Sequence, residues 1–389
     1  MVGAGYWDVA RLCAASAGLT GLLCYHAAGV GRVTQLMDKP DGVRKLHKTE
    51  TPLIGGLAAL IPTFVVSLLY SAGVPLAPVM LIAVGAATAM LVIGIIDDRA
   101  NLSPVWRIVA LTFIVFTVFS ISPLFVLHTL RFGLFGSDFS VPLGDPIAAP
   151  VIALFIVGFV NAANMADGMN GQLLGSVMIW SAFIIYYLGV DVGVPFIVLI
   201  CSALVTFIYN LRGRLFAGNS GAYAASLFVA LGAIAAYRLS NGAMPAEVPV
   251  FWFWLPVLDC LRLMVNRVLN GRSPFAGDRN HFHHMLMNHM RVRYALIVYL
   301  GLLAAPGAAA IVNRDWASAV LLMCIGCYGA LLVVKRVATL RVRDERPASR
   351  AVSFFSTKFS RMAPSKAGRP TAKVSLTATN SQETTRRAG

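Results

Sequence analysis

Apolar runs of about 20 residues follow one another along this chain, each long enough to cross roughly 30 Å of hydrocarbon as a helix. Eleven are legible, at residues 6–30, 53–72, 77–96, 106–127, 147–164, 171–189, 193–211, 221–239, 248–267, 294–313 and 316–335. With 58% hydrophobic and 13% charged residues, and a mean hydropathy of +0.73, the chain is too apolar to fold around one soluble core. The expectation is an all-α, polytopic helical membrane protein with about 10–11 transmembrane helices.

Positive charge sets the expected orientation. With the N-terminus outside, the loops then facing inward, together with the C-terminal tail, hold 27 of the 32 Lys and Arg residues. Lys and Arg concentrate on the cytoplasmic side, so the reading is N-out and C-in. Residues 1–337 form the expected membrane domain, and 338–389 a basic, Ser- and Thr-rich cytoplasmic tail that reads as disordered and lying near anionic lipid head groups. The net charge of +15 would suit nucleic acid, but 13 basic residues lie between Lys335 and Gly389 and no reading motif accompanies them, so nucleic acid is not an expected partner. All six cysteines fall within the apolar runs. Cys324-x-x-Cys327 has redox or metal spacing but lacks a partner pair, and packing is the favoured reading. The first run lacks a basic leading segment and reads as an anchor rather than a cleavable signal.

Five inward loops carry almost every unusual polar residue. The first runs from Asp38 through Arg44, Lys45 and His47 to Gly55-Gly56, and the second is Asp97-Asp98-Arg99-Ala100-Asn101-Leu102-Ser103-Pro104. The third extends from Asn161 through Asn164 and Asp167-Gly168 to Gly171, and the fourth from Asn210 through Phe216-Ala217-Gly218-Asn219-Ser220-Gly221. The fifth packs Asp278-Arg279-Asn280-His281-Phe282-His283-His284. Outer loops are plain, except that residues 128–146 alternate in a way that suits a small hairpin. This one-sidedness weighs against an ion-coupled transporter, the main non-enzyme alternative, whose charges belong near the bilayer midplane.

Adjacent carboxylates repel, so Asp97-Asp98 at the end of a span points to neutralisation by a divalent cation or basic groups. Asp167, in a Gly- and Asn-rich segment, offers the hard oxygen that Mg²⁺ takes in ones or twos while completing its shell with water and substrate phosphate. Arg44, Lys45 and His47, with Arg279, His281, His283 and His284, supply cations and N–H donors for a diphosphate. His-x-His-His is not the spacing of a structural zinc site.

Together these motifs resemble the polyprenyl-phosphate N-acetylhexosamine-1-phosphate transferases, of glycosyltransferase family 4 type. The matching pieces are Asp38-x-Pro-x-x-Arg44-Lys45-x-His47 with Gly55-Gly56, Asp97-Asp98 with Leu102-x-Pro104, Asn161-x-x-Asn164-x-x-Asp167-Gly168, and Asp278-Arg279-x-His281-x-His283-His284. The resemblance implies transfer of a sugar 1-phosphate from a UDP-linked N-acetylhexosamine to polyprenyl phosphate, with release of UMP, starting lipid-linked envelope glycan synthesis at the cytoplasmic face of a bacterial inner membrane. It implies Mg²⁺, with Mn²⁺ as substitute, and leaves a homo-dimer open. By motif, Asp97, Asp98 and Asp167 become the catalytic carboxylates and Asp167 a metal ligand. Arg44, Lys45, His47, Asn164, Asn210, Arg279, His281, His283 and His284 become binders of diphosphate, sugar and nucleotide. The His-x-His-His spacing resembles the branch that uses free N-acetylhexosamines, which makes UDP-N-acetylglucosamine the leading donor. One departure stands out: the family's fourth loop usually carries an Asp metal ligand where this chain has Asn219, and Gln172 stands where Leu is usual. A neutral Asn amide still offers an oxygen but brings no charge, so a catalytically weak or inactive relative is the alternative.

Overall fold

The computed structural model describes residues 6–39, 50–71, 77–134, 137–240, 242–275 and 280–344. Arg44, Lys45, His47 and Arg279 lie outside the described residues, as does most of the C-terminal tail. Two compact units are present, Met1–Gly329 and Ala330–Gly389, and the site described below lies wholly in the first. In chain order the elements are α1 (Tyr6–Tyr25), α2 (Ala27–Val33), β1 (Met37–Asp38), β2 (Thr51–Pro52), α3 (Gly55–Ser71), α4 (Ala77–Ala100), α5 (Pro104–Ile121), β3 (Thr129–Leu134) and β4 (Ser137–Pro142). They continue as α6 (Asp145–Ala166), α7 (Gln172–Leu211), α8 (Gly218–Leu239), α9 (Glu247–Leu269), α10 (Phe282–His289), α11 (Val292–Val312) and α12 (Arg314–Asp344).

All eleven apolar runs fall on helices, but their lengths differ from the expectation. Among the described residues seven helices are long and apolar enough to cross a membrane, or eight if the pair Trp7–Tyr25 and Ala27–Val33, bent by 69°, counts as one span. The runs at 53–72 and 316–335 lie on shorter apolar helices, Gly55–Tyr70 and Ala317–Val333. The runs at 171–189 and 193–211 share the 40-residue α7. If straight, α7 would be about 60 Å long, roughly twice the hydrocarbon thickness. Gly189 breaks it with φ 74 and ψ 169, and a Cβ on Gly193 would lie 3.4 Å from the Cα of Ile185, so the chain folds back there. The protein is a multi-spanning helical membrane protein. The hairpin expected within 128–146 is present, with β3 and β4 antiparallel from Thr129↔Pro142 to Leu134↔Ser137.

Helix α8 is the centre of the packing: 83% of its apolar window is buried, more than in any other candidate span. Small residues permit this. A Cβ on Gly94 of α4 would lie 2.3 Å from the Cα of Ser220, and one on Gly56 of α3 would lie 2.2 Å from the Cα of Gly221, so both helices meet the first turn of α8 backbone to backbone. On the other flank Phe159, Trp180 and Phe253 fill the space between α6, α7 and α9, with the Phe159 and Phe253 rings 3.9 Å apart. Large apolar side chains such as Leu69, Phe113, Leu154 and Ile297 are exposed, as lipid-facing surfaces require.

Candidate active site

Where the helix ends meet, a cavity of about 840 Å³ is lined by residues from all five polar loops, among them Asp38, Asp98, Asn164, Asp167, Asn210, Asn219, His281, His283 and His284. Each wall follows from local sequence. In the second loop Asn101 ends α4 in a left-handed turn with φ 50, a conformation Asn tolerates. Ser103 then accepts a hydrogen bond from the Trp106 amide at 3.4 Å, and Pro104 opens α5, an N-terminal position where proline's missing N–H costs nothing. The first loop is closed at its base by Asp38 pairing with Thr51, and its far side pairs with the fourth loop through Gly55 N–H to Phe216 O at 2.8 Å and Gly56 N–H to Ala217 O at 2.9 Å.

The paired aspartates point in different directions. Asp98 accepts from the backbone amides of Asn219 at 2.8 Å and Ser220 at 3.0 Å, so it caps the N-terminus of α8. Gly218, at φ 73, has to be a glycine for this, because a Cβ there would lie 2.7 Å from the Asp98 carboxylate. Asp97 is 1% exposed and accepts from the Arg107 guanidinium at 3.3 Å and the Tyr223 hydroxyl at 3.2 Å. Arg107 also donates to the Tyr223 oxygen at 2.8 Å, and Asn164 donates to the same oxygen at 3.1 Å. Asp97 is absent from the cavity lining, whereas its partners Arg107 and Tyr223 belong to it.

Asp167 is placed otherwise. It stands just beyond the last turn of α6, half-buried, with no cationic partner among the described residues. Burial pushes its carboxyl up to about 7, only partly opposed by the Leu173 backbone amide. The neighbouring Gly168 is pressed against the histidine loop: a Cβ there would lie 1.9 Å from His283 Nε2. His283 is 2% exposed, and burial, then the charges of His284 and His281, push its pKa down to about 3. It therefore stays neutral and does not supply the charge expected of it. Among the described residues its Nε2 is buried without a hydrogen-bond partner.

Asn210 spends both ends of its amide on the protein, accepting from the Gly171 N–H and donating to Leu215 O at 2.8 Å, which ties the end of α7 to the third loop. Gln172 accepts from the Gly168 amide at 3.4 Å, so the residue that departs from the family pattern supports the turn that presents Asp167. His281 caps α10 from an extended backbone, stacked on His283 with ring centres 5.5 Å apart.

Sequence reasoning overlooked Arg107, Tyr223, Asp259, Arg262 and Tyr328. Asp259 and Arg262 of α9 form an ion pair at 2.8 Å, and Asp259 reaches His281 Nδ1 at 2.9 Å. An Asp and an Arg three apart in an otherwise apolar run were the available signal, since ionisable groups in a span face the bundle interior and pair with one another.

Fold and cavity define a multi-spanning membrane protein whose helix ends enclose a chamber rich in carboxylate, amide and imidazole groups. Residues 80–237 match the family described as Glycosyl transferase family 4. A decaprenyl-phosphate N-acetylglucosaminephosphotransferase of Mycobacterium leprae is 30% identical over 84% of this chain and 90% of its own. An undecaprenyl-phosphate alpha-N-acetylglucosaminyl 1-phosphate transferase of Escherichia coli is 30% identical over 69% of this chain and 73% of its own, and a probable enzyme of that type from Bacillus subtilis is 28% identical over 64% and 69%. The chain belongs to the polyprenyl-phosphate N-acetylglucosamine-1-phosphate transferase family.

Proposed function

We propose that this protein transfers N-acetylglucosamine 1-phosphate from UDP-N-acetylglucosamine to polyprenyl phosphate, releasing UMP, at the cytoplasmic face of a bacterial inner membrane with its N-terminus out and C-terminus in. The observation that carries the reading is the single cavity bringing Asp167, Asn219, Arg107 and the histidine loop together at the helix ends. An oxygen of the lipid phosphate attacks the sugar-bearing phosphorus of the donor. The bond from that phosphorus to the bridging oxygen breaks, and UMP departs with the electron pair. One phosphoanhydride replaces another, so no energy cofactor is required. The lipid phosphate, with a second pKa of about 6, arrives largely ionised, and positioning matters more than proton removal.

Among the described residues no group of three or more His, Cys, Asp or Glu side chains is placed to hold a metal. A cation that takes one or two protein oxygens and completes its shell with water and substrate phosphate needs no such group. The desolvated Asp167 carboxylate suits it, with the Asn219 amide oxygen as a neutral second ligand. When bound, Mg²⁺ would neutralise charge building on the diphosphate. Arg107 offers donors to phosphate oxygens, and Asn164, held by Tyr223, shapes the wall beside it.

Purified protein in lipid nanodiscs, given undecaprenyl phosphate and a panel of labelled UDP-sugars, should release UMP fastest with UDP-N-acetylglucosamine. It should exchange labelled UMP into the donor only when the lipid phosphate is present. Preference for a muramoyl-pentapeptide donor would overturn the sugar assignment, and solute uptake without exchange would favour a transporter. Asn219 favours a second reading, a weak or inactive relative. That reading prevails if the wild type releases no UMP with Mg²⁺ or Mn²⁺ while Asn219→Asp does.

A further inference from the structure

Asp259 is a carboxylate sunk in the middle of an apolar helix, 3% exposed, and every lone-pair direction of its two oxygens is used. Oδ1 accepts from the Arg262 guanidinium at 2.8 Å and the Tyr328 hydroxyl at 2.9 Å. Oδ2 accepts from the Phe282 amide at 3.1 Å and faces His281 Nδ1 at 2.9 Å. Arg262 also donates to the Tyr328 oxygen at 2.7 Å and to Asn280 O at 2.7 Å, so the guanidinium holds the carboxylate, the phenol and the entry to α10 in one piece.

Two consequences follow. Arg262 already balances the Asp259 charge, so His281 is not needed as its counter-ion. A carboxylate has no proton to give, so the hydrogen between Asp259 and His281 belongs to Nδ1. That fixes the tautomer and leaves Nε2 as the ring nitrogen available to a ligand. The ring is 7% exposed, lines the cavity, and is stacked on the parallel ring of His283, with an interplanar angle of 8°. Its plane and its free nitrogen are both set before any substrate arrives.

We infer that Asp259, braced by Arg262 and Tyr328, is a positioning residue that locks His281 with Nδ1 protonated and Nε2 presented, as an acceptor, to a hydroxyl or N–H donor of the nucleotide sugar. The logic is that of a carboxylate behind a working imidazole: the partner fixes the tautomer and the ring orientation. The assignment of the ligand rests on the transferase reading; the tautomer does not.

The test has two arms. In the first, protein with ¹⁵N-labelled histidine in nanodiscs is compared with Asp259→Asn, His281→Gln serving to assign the signal. The wild-type His281 should carry its proton on Nδ1, and Asp259→Asn should shift both ring nitrogens; a wild-type ring with the proton on Nε2 alone overturns the inference without recourse to any variant. In the second, UMP release by Asp259→Asn should fall about 10- to 100-fold in kcat while the KM for undecaprenyl phosphate stays within about twofold, with Asp259→Glu recovering part of the rate. Tyr328→Phe removes a bond to the same carboxylate without touching His281 and should cost about threefold or less. An equal loss in Tyr328→Phe would mark the cluster as structural and defeat the claim. If wild type releases no UMP from any donor, the transferase reading fails, and the ring-nitrogen comparison still decides the Asp259–His281 claim.

Discussion

Asp98 and Asp167 line the same cavity, and they solve the problem of a buried carboxylate in opposite ways. Asp98 is satisfied by two backbone amides at the start of α8 and cannot leave them without uncapping the most enclosed helix of the bundle. Among the described residues Asp167 has the Leu173 amide and no cationic partner, and burial drives its carboxyl to about 7. A satisfied carboxylate organises structure. An unsatisfied one at a cavity wall is primed to trade its proton for a cation, so of the acids visible in the sequence Asp167 best fits a ligand role, while the Asp97-Asp98 pair secures α8 and Arg107.

The sharpest way to break this contrast is Asp167→Asn. It should lower the rate of UMP release on the order of 10³-fold with little change in thermal unfolding, since it removes the charge that the proposed cation would meet. If Asp98→Asn abolishes Mn²⁺ binding as completely as Asp167→Asn does, measured by paramagnetic resonance, the division of roles is wrong. Gly168→Ala comes next: its Cβ would drive into His283, and the overpacking should destabilise the fold by about 1–3 kcal/mol in chemical unfolding. An unaltered midpoint would mean that the third loop and the histidine loop are not pressed together.

The pH dependence follows from the direction of the Asp167 shift. Its native carboxyl lies well above the unfolded value, so metal-free protein holds the extra proton between about pH 4 and 7 and loses that contribution to stability as pH rises through 7. A cation has to displace this proton at low pH. Mn²⁺ affinity should weaken by up to about tenfold per pH unit below 7 and level off above it, and a flat profile from 5 to 8 would remove Asp167 from the metal site. Asn219→Asp, adding a charge to the cavity lining, should tighten Mn²⁺ binding by about tenfold at neutral pH. The smallest effect belongs to the cap. Asp98→Ala should cost about 1 kcal/mol of stability and Asp98→Asn only a fraction of that, because an Asn oxygen still accepts from the α8 amides.

The apolar runs made the membrane class readable from sequence, because a span's length and composition are set by hydrocarbon thickness whatever its neighbours are. Their boundaries were partly legible: the split between the runs at 171–189 and 193–211 falls at the break at Gly189, whereas the shortness of α3 was not marked by hydropathy. The polar loops likewise announced themselves through residue type, and most of the described candidates do reach one cavity.

Residue type and spacing are enough to mark a helical membrane protein with its unusual polar residues gathered in five loops, since both report the cost of placing charge in lipid. Which acid is held by protein donors, and by which, depends on how the helices pack. Asp97 turns to Arg107, Asp98 to the α8 amides, and Asp259, unmarked by any loop motif, to His281. A carboxylate's role is set by the donors in hydrogen-bond reach of it; those of Asp98, the amides of Asn219 and Ser220, and one of those of Asp97, the Tyr223 hydroxyl, come from more than a hundred residues away in the chain, close in space because glycines let the helices touch.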